Sequence, residues 1–354
     1  MTVKTKRFIF FIVALIVLVS LSIGSYLYIQ DQNLVRSKKQ VLLDFNTNKL
    51  DDAIARAQEL SENRSRMKDG LLLLATAYAQ KGSVSFNEGE YSDKAIDAAR
   101  KVLEIDPNNA EAYRLIGYSY EIAQKYTDAQ TNYLKAIELD PKLSQAYSGL
   151  GHSYDLQGDL VKAEEWYRKA LAIDENNFHA LLNLARVDIR NNKPDEAEGY
   201  LQNIVKNNPN DRGNSDAYQL LSFIENSYKN DAVKSNEYLE KALTYDQNVP
   251  QVWVSIGMAA LSDLPNATSK DEWNNGVSKA EDSVQKALSI NKNQTSAYLL
   301  SSLLSSYLGD YKKAEEMRLK GLDVIDQDIT LGQQEKDQTR AMLESINNLW
   351  SGKK

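Results

Sequence analysis

The stretch that decides the reading is Ala110 to Pro141, AEAYRLIGYSYEIAQKYTDAQTNYLKAIELDP. With Ala110 as position 1, Tyr113, Ile116 and Tyr120 stand at 4, 7 and 11, and Gly117 at 8. That spacing puts the three large side chains on one face of a helix. Ala129, Tyr133 and Ala136 follow at 20, 24 and 27, and Pro141 at 32. The small residues at 8, 20 and 27 mark places where two backbones approach closely. Thr127 and Asp128 are candidate caps for a second helix, because their side-chain oxygens can accept from its first N–H groups. Pro141 ends that helix, since proline has no N–H and disfavours helical geometry before it. The segment predicts two short helices, neither able to bury its apolar stripe alone.

The pattern recurs. Thirty-four residues on come Tyr147, Leu150, Gly151, Tyr154, Ala163, Tyr167 and Ala170, then Leu181, Leu184, Ala185, Ala197, Leu201, Ile204 and Pro209. This order of residues closely resembles the tetratricopeptide repeat (TPR) family, whose unit is a helix–turn–helix of that length. The resemblance implies an all-α fold: a right-handed superhelix, an α-solenoid of stacked hairpins that bury a shared core. Further units are read from Lys68 (Leu71, Leu74, Ala75, Tyr78, then Ala95, Ala99, Val102), Ser215 (Tyr218, Leu221, Leu239, Ala242) and Pro250 (Trp253, Ile256, Gly257, Ala260). A last one carries Tyr298, Ser302, Ala314 and Gly321. An array of about seven repeats over 68–328 is therefore expected. A degenerate first repeat precedes it over 32–66, with Val41 where a small residue belongs, and a capping helix follows over 330–350. Two inserts break the period, near 82–93 and 261–276, and carry Phe86, Tyr91 and Trp273. Each is read as a partner contact or a packed cover.

Ahead of the array, after a short basic tail over 1–7, Phe8 to Ile29 (FIFFIVALIVLVSLSIGSYLYI) contains no charged residue. Its 22 residues reach about 33 Å as a helix, enough to cross a hydrocarbon core. The expectation is a transmembrane helix, or uncleaved signal anchor, with a cytoplasmic N-terminus and the array outside. A cleaved signal peptide, giving a secreted or periplasmic binding protein, is the alternative. The charges of Lys4, Lys6 and Arg7 are nearly balanced by Arg36, Lys38, Lys39 and Lys49 beyond the run, so charge alone leaves orientation open.

The formal charge is −7, and the first 30 residues contribute three positive charges, which leaves −10 for the rest. Such an acidic array is a poor match for nucleic acid, which needs clustered Lys and Arg. The chain has no Cys, so disulfides, thiolate metal sites and Cys nucleophiles are excluded. Repeats and cap take up nearly all of 32–350. No glycine-rich phosphate loop and no His-Glu-x-x-His pair is present. The expectation is a non-catalytic scaffold without cofactor or metal, whose partners are proteins or peptides. An accessory subunit of an envelope glycan or lipid enzyme is a further alternative.

The TPR resemblance assigns positions 2, 5, 9 and 12 of each first helix to a concave groove. That implies a partner-binding wall of Arg114, Tyr118, His152, Asp155, His179, Arg186, Phe223 and Met258, with Arg190 adjacent, mixed and locally basic in the middle and apolar towards the C-terminus. His152 and His179, the only histidines, are better read as solvated groove residues than as a metal pair. Arg114, Tyr118 and Gly149 stand where a carboxylate clamp for chaperone tails would need Lys, Asn and Asn, so that clamp is absent.

Overall fold

The computed structural model describes residues 35–44, 49–63, 66–83, 88–207, 213–328 and 333–346. The expected transmembrane helix over 8–29 and the basic tail lie outside these residues. Among the described residues every regular element is helical, and no helix is long and apolar enough to cross a membrane. The chain divides into two compact units, Met1–Gln157 and Gly158–Lys354.

In the first unit, α1 (residues 35–44) pairs with α2 (Leu50–Glu62), and two hairpins and a single helix follow: α3 (Met67–Ser83) with α4 (Glu88–Ile105), α5 (Ala110–Ile122) with α6 (Tyr126–Leu139), then α7 (Ser144–Leu156). Val41, at the position expected to be small, is fully buried against Ala53 and Ala77, so two alanines opposite supply the room. Leu71, Leu74, Ala99, Val102, Leu115 and Ile116 form the central core. In the second unit, α8 (Leu160–Ile173) leads into α9 (Phe178–Arg190) and α10 (Pro194–Asn207). Then come α11 (Asn214–Ser227) with α12 (Ala232–Tyr245), α13 (Pro250–Asp263) with α14 (Lys270–Ile290), and α15 (Thr295–Tyr307) with α16 (Tyr311–Val324). α17 (Gln333–Ile346) packs its Leu343 and Ile346 on Leu299 and Ala314.

Local chemistry sets the boundaries. Asn109 and Asn177 cap α5 and α9, accepting from Ala112 and Ala180 N–H at 2.9 and 3.0 Å. Asp159, Asp231 and Asp310 do the same for second helices α8, α12 and α16. The expected Thr or Asp cap of α6 is not formed: that helix begins at Tyr126, its N-cap Lys125 offers no side-chain acceptor, and Asp128 lies within the first turn. Ahead of Pro141, Asp140 is extended and α6 stops at Leu139. Five first helices end on a left-handed residue, Gln124, Gly158, Asn192, Asn230 and Gly309, all with positive φ. Glycine takes that conformation without a Cβ penalty and Asn tolerates it, which leaves Gln124 the strained member of the series.

Both inserts are packed where they are described. Tyr91 stacks on Tyr78 with centroids 6.4 Å apart, and Lys81 and Lys94 stand 5.2 and 5.4 Å from its ring. Phe86 lies outside the described residues. In the second insert, Leu264–Asn266 forms a 3-10 turn, and Trp273 packs beside Ala260, Leu264 and Leu304. Trp273 thus covers the end of its hairpin.

Candidate functional site

The named groove residues fall into two groups, one in each unit. In the first unit, α5, α6 and α7 gather a polar cluster around Tyr133. The Arg114 guanidinium grips Glu111 through two hydrogen bonds of 2.8 and 2.6 Å. Burial pulls against its charge, yet Glu111 holds the guanidinium above its ordinary value. Burial raises the Tyr118 phenol, partly offset by the Ser83 hydroxyl. The Tyr133 phenol is driven well above the usual range, by burial first and then by the Glu121 carboxylate. His152 Nδ1 lies 2.8 Å from Glu121 Oε1, with the Glu121 side chain 5% exposed and the His152 side chain 39% exposed. A half-exposed imidazole therefore sits against a buried carboxylate, joining one first helix to the next. Asp155 is half-buried a turn later on α7. Among the described residues no group of three or more His, Cys, Asp or Glu could hold a metal ion.

In the second unit, His179, Arg186 and Arg190 are exposed on α9, and the His179 ring meets Phe178 edge-on at 5.5 Å. Phe223 and Met258 come together. They line a groove of about 370 Å³ between α11, α12 and α13, with Leu239 and Val254 on its floor. Phe223 is 47% exposed and meets Tyr228 edge-on at 6.2 Å. Its polar rim is almost uncharged: Gln219, Asn226 and Asn236 supply amides, Ser255 and Ser262 hydroxyls, and Asp263 the one charge. Ser222 and Ser235 satisfy each other beneath it at 2.8 Å. The apolar wall is narrower than the sequence suggests. Leu182, Val254 and Leu299, at position 5 of their first helices, are buried in packing against neighbouring helices, while Phe223, Met258 and Leu303, at position 9, keep some exposure.

Two buried acids at one repeat position escaped the sequence reading. Asp188 and Glu225 occupy position 11, where Tyr120 and Tyr154 stand in earlier repeats, and that substitution was the available signal. Glu225 Oε1 accepts from Lys234 and Lys229, the second at 3.3 Å, and Lys229 also reaches Glu198 at 2.7 Å. Asp188 Oδ1 has no hydrogen-bond partner, Lys193 stands 4.0 Å away, and burial raises the carboxyl. Glu225, through Lys229 and Lys234, ties α10, α11 and α12 together.

Tetratricopeptide repeat models match residues 39–110, 110–176 and 156–222, an unbroken run. Against curated proteins the sequence has no significant match. Among solved structures, a chain of the APC/C hetero-tetramer Cut9–Hcn1 is similar at 16% identity and a TM-score of 0.62, over 84% of this chain and 52% of that one. This chain thus spans about half the length of that relative. PilW, titled a type IV pilus biogenesis factor, is similar at 17% identity and TM-score 0.52, over 67% of this chain and 97% of its own. PilF of Pseudomonas aeruginosa is similar at 21% and 0.51, over 70% of this chain and 99% of its own. At such identities the likeness is one of fold. With the 34-residue order of small and large residues, the stacked hairpins and three contiguous model matches in agreement, the chain belongs to the tetratricopeptide repeat family.

Proposed function

We propose that this protein is a non-catalytic scaffold, tethered to a membrane by residues 8–29, that binds partner proteins or peptides through its array. The observation that carries the reading is the groove of Phe223 and Met258. A half-exposed aromatic beside a flexible thioether, within a rim of amides and hydroxyls that carries the single charge of Asp263, suits a partner segment that presents an apolar anchor. The amides can pair with a partner's backbone, since each offers donors and an acceptor. Exposed Arg186 and Arg190 on α9 favour acidic residues in that partner.

The tether rests on the charge-free run Phe8 to Ile29, long enough to span a bilayer. With Lys4, Lys6 and Arg7 held on the cytoplasmic side, the array is extracytoplasmic. Two of the structural neighbours are PilF and PilW, the latter titled a pilus biogenesis factor, and assembly of a cell-envelope complex is the role to which we extend the scaffold reading.

The test is site-specific photocrosslinking in cells, with the reactive group at Phe223 or at exposed Lys101 on α4. The expected outcome is a discrete adduct from position 223 only. Met258→Asp should weaken it at least tenfold, as about 1.4 kcal/mol or more of apolar contact is replaced by a buried charge. Equal adducts from both positions, or an adduct indifferent to Met258→Asp, would reject the groove.

A further inference from the structure

The outer face of α1 has a composition that neither the repeat core nor the groove requires. Val35, Leu42 and Leu43 are 52%, 54% and 51% exposed. At 100° per residue they share an arc of about 120° with exposed Arg36 and Lys39, and no acid interrupts it. The opposite face is fixed to the array. Val41 is buried on Ala53 and Ala77, Lys38 pairs with Asp69 at 3.1 Å, and Asp44 pairs with Arg56 at 2.8 Å. The apolar residues are therefore held outward by packing.

Where the arc ends, at Arg36, a pocket of about 330 Å³ opens between α1 and α2. Arg36, Arg56 and Arg66 line it with Gln40 and Asn63, and Glu59 is its only acid. Three guanidiniums line one concavity, that of Arg56 already paired with Asp44 through Nε, and such groups suit phosphate oxygens, which match their planar forks. The position of this end in the chain also matters. Residues 30–34 separate α1 from the charge-free run, and fully extended they reach at most about 18 Å.

We propose that the outer face of α1 lies on the membrane surface beside the anchor. Val35, Leu42 and Leu43 enter the boundary between headgroups and acyl chains, and the Arg36, Arg56 and Arg66 pocket takes the phosphates of anionic phospholipids. An amphipathic face with basic flanks binds an interface in this way. The acidic remainder of the array is repelled by the same lipids, so contact is confined to this end. The proposal rests on the anchor reading above.

The chain has no cysteine, so single cysteines carry spin labels without background. The full chain is reconstituted in vesicles of phosphatidylcholine, with or without phosphatidylglycerol, and labelled at Leu18→Cys, Leu42→Cys or Lys101→Cys. Collision with oxygen against a water-soluble nickel complex reports depth. The expected result is a deep Leu18 label, an interfacial Leu42 label in phosphatidylglycerol vesicles and an aqueous Lys101 label. Reversing Arg36 and Lys39 to Glu should lower the interfacial fraction at position 42 about fivefold or more. A Leu18 label in water overturns both the anchor and this proposal. A deep Leu18 label with an aqueous Leu42 label overturns this proposal alone, as does a Leu42 signal indifferent to charge reversal and to phosphatidylglycerol.

Discussion

Tyr133 decides the approach of three helices. Its ring is 1% exposed and lies between Gly117 on α5 and Gly149 on α7. A Cβ at Gly117 would stand 3.0 Å from ring Cδ1, and one at Gly149 would stand 2.6 Å from Cε1 and Cζ. The second contact is impossible without moving a ring packed on every side. Gly149→Ala should therefore lower stability by about 1 kcal/mol net, with overpacking of roughly 1–3 kcal/mol outweighing the helix-propensity gain. Gly199 lies mid-helix on α10, and a Cβ there would meet nothing within 4 Å. Gly199→Ala should raise stability by about 0.5–1 kcal/mol. Urea unfolding followed by circular dichroism compares the two, and midpoint shifts of opposite sign are expected. Gly117 was legible as a position-8 small residue. Gly149 was not, because its need for a bare backbone comes from a side chain of the preceding hairpin.

At the scale of the element, α14 shows how an insert became ordered structure. It runs 21 residues, and its start is fixed by Ser269, whose Oγ accepts from Glu272 N–H at 3.1 Å. Glu272 reaches back to the Thr268 N–H and hydroxyl at 2.8 and 2.9 Å. This is a reciprocal cap, and Trp273 seals it from the next turn by packing on Leu264. Ser269→Ala should cost about 1 kcal/mol, read from thermal unfolding. The pH dependence follows from Glu272, whose carboxyl is held below its ordinary value, first by the Thr268 N–H and then by the Thr268 hydroxyl. A lowered folded value means stability present above the unfolded glutamate pKa and lost as pH falls through the folded one. The stability difference between the protein and Glu272→Gln should accordingly be present at neutral pH and close in acid. The Ser-x-x-Glu spacing was in the sequence, but the long departure from the repeat period obscured it.

At the scale of the molecule, each unit shares its core between hairpins, so an end needs a cover. α17 supplies one: Leu343 is fully buried and Ile346 is 3% exposed, against Leu299 and Ala314. Gly321 admits the contact, since a Cβ there would stand 3.1 Å from Leu343 Cδ1. Leu343→Asp should release α17, at about 3 kcal/mol or more, and bare Leu299. Stronger binding of an apolar-surface dye and concentration-dependent association in sedimentation are the expected readouts. An unchanged dye response would mean that α17 is not a cover.

The repeating unit is legible from the order of residues alone. Position, size and period are properties of one hairpin and its copies, so Tyr113, Gly117, Ala129 and Pro141 could be read without coordinates. Family models match as far as residue 222, and the structure carries hairpins on to Val324. Which side chains stay accessible was decided only in the tertiary structure. Val254 and Leu299 belong to the same inner-wall positions as Phe223 and Met258, yet neighbouring helices bury the first pair to 7% exposure each and leave the second partly exposed. The same holds for Glu121, whose partner His152 is brought by the next hairpin, and for the outward face of α1, which exists because Val41 is held inward. Burial is a property of pairs of elements, and a linear pattern fixes the face a residue shares but not what comes to lie against it.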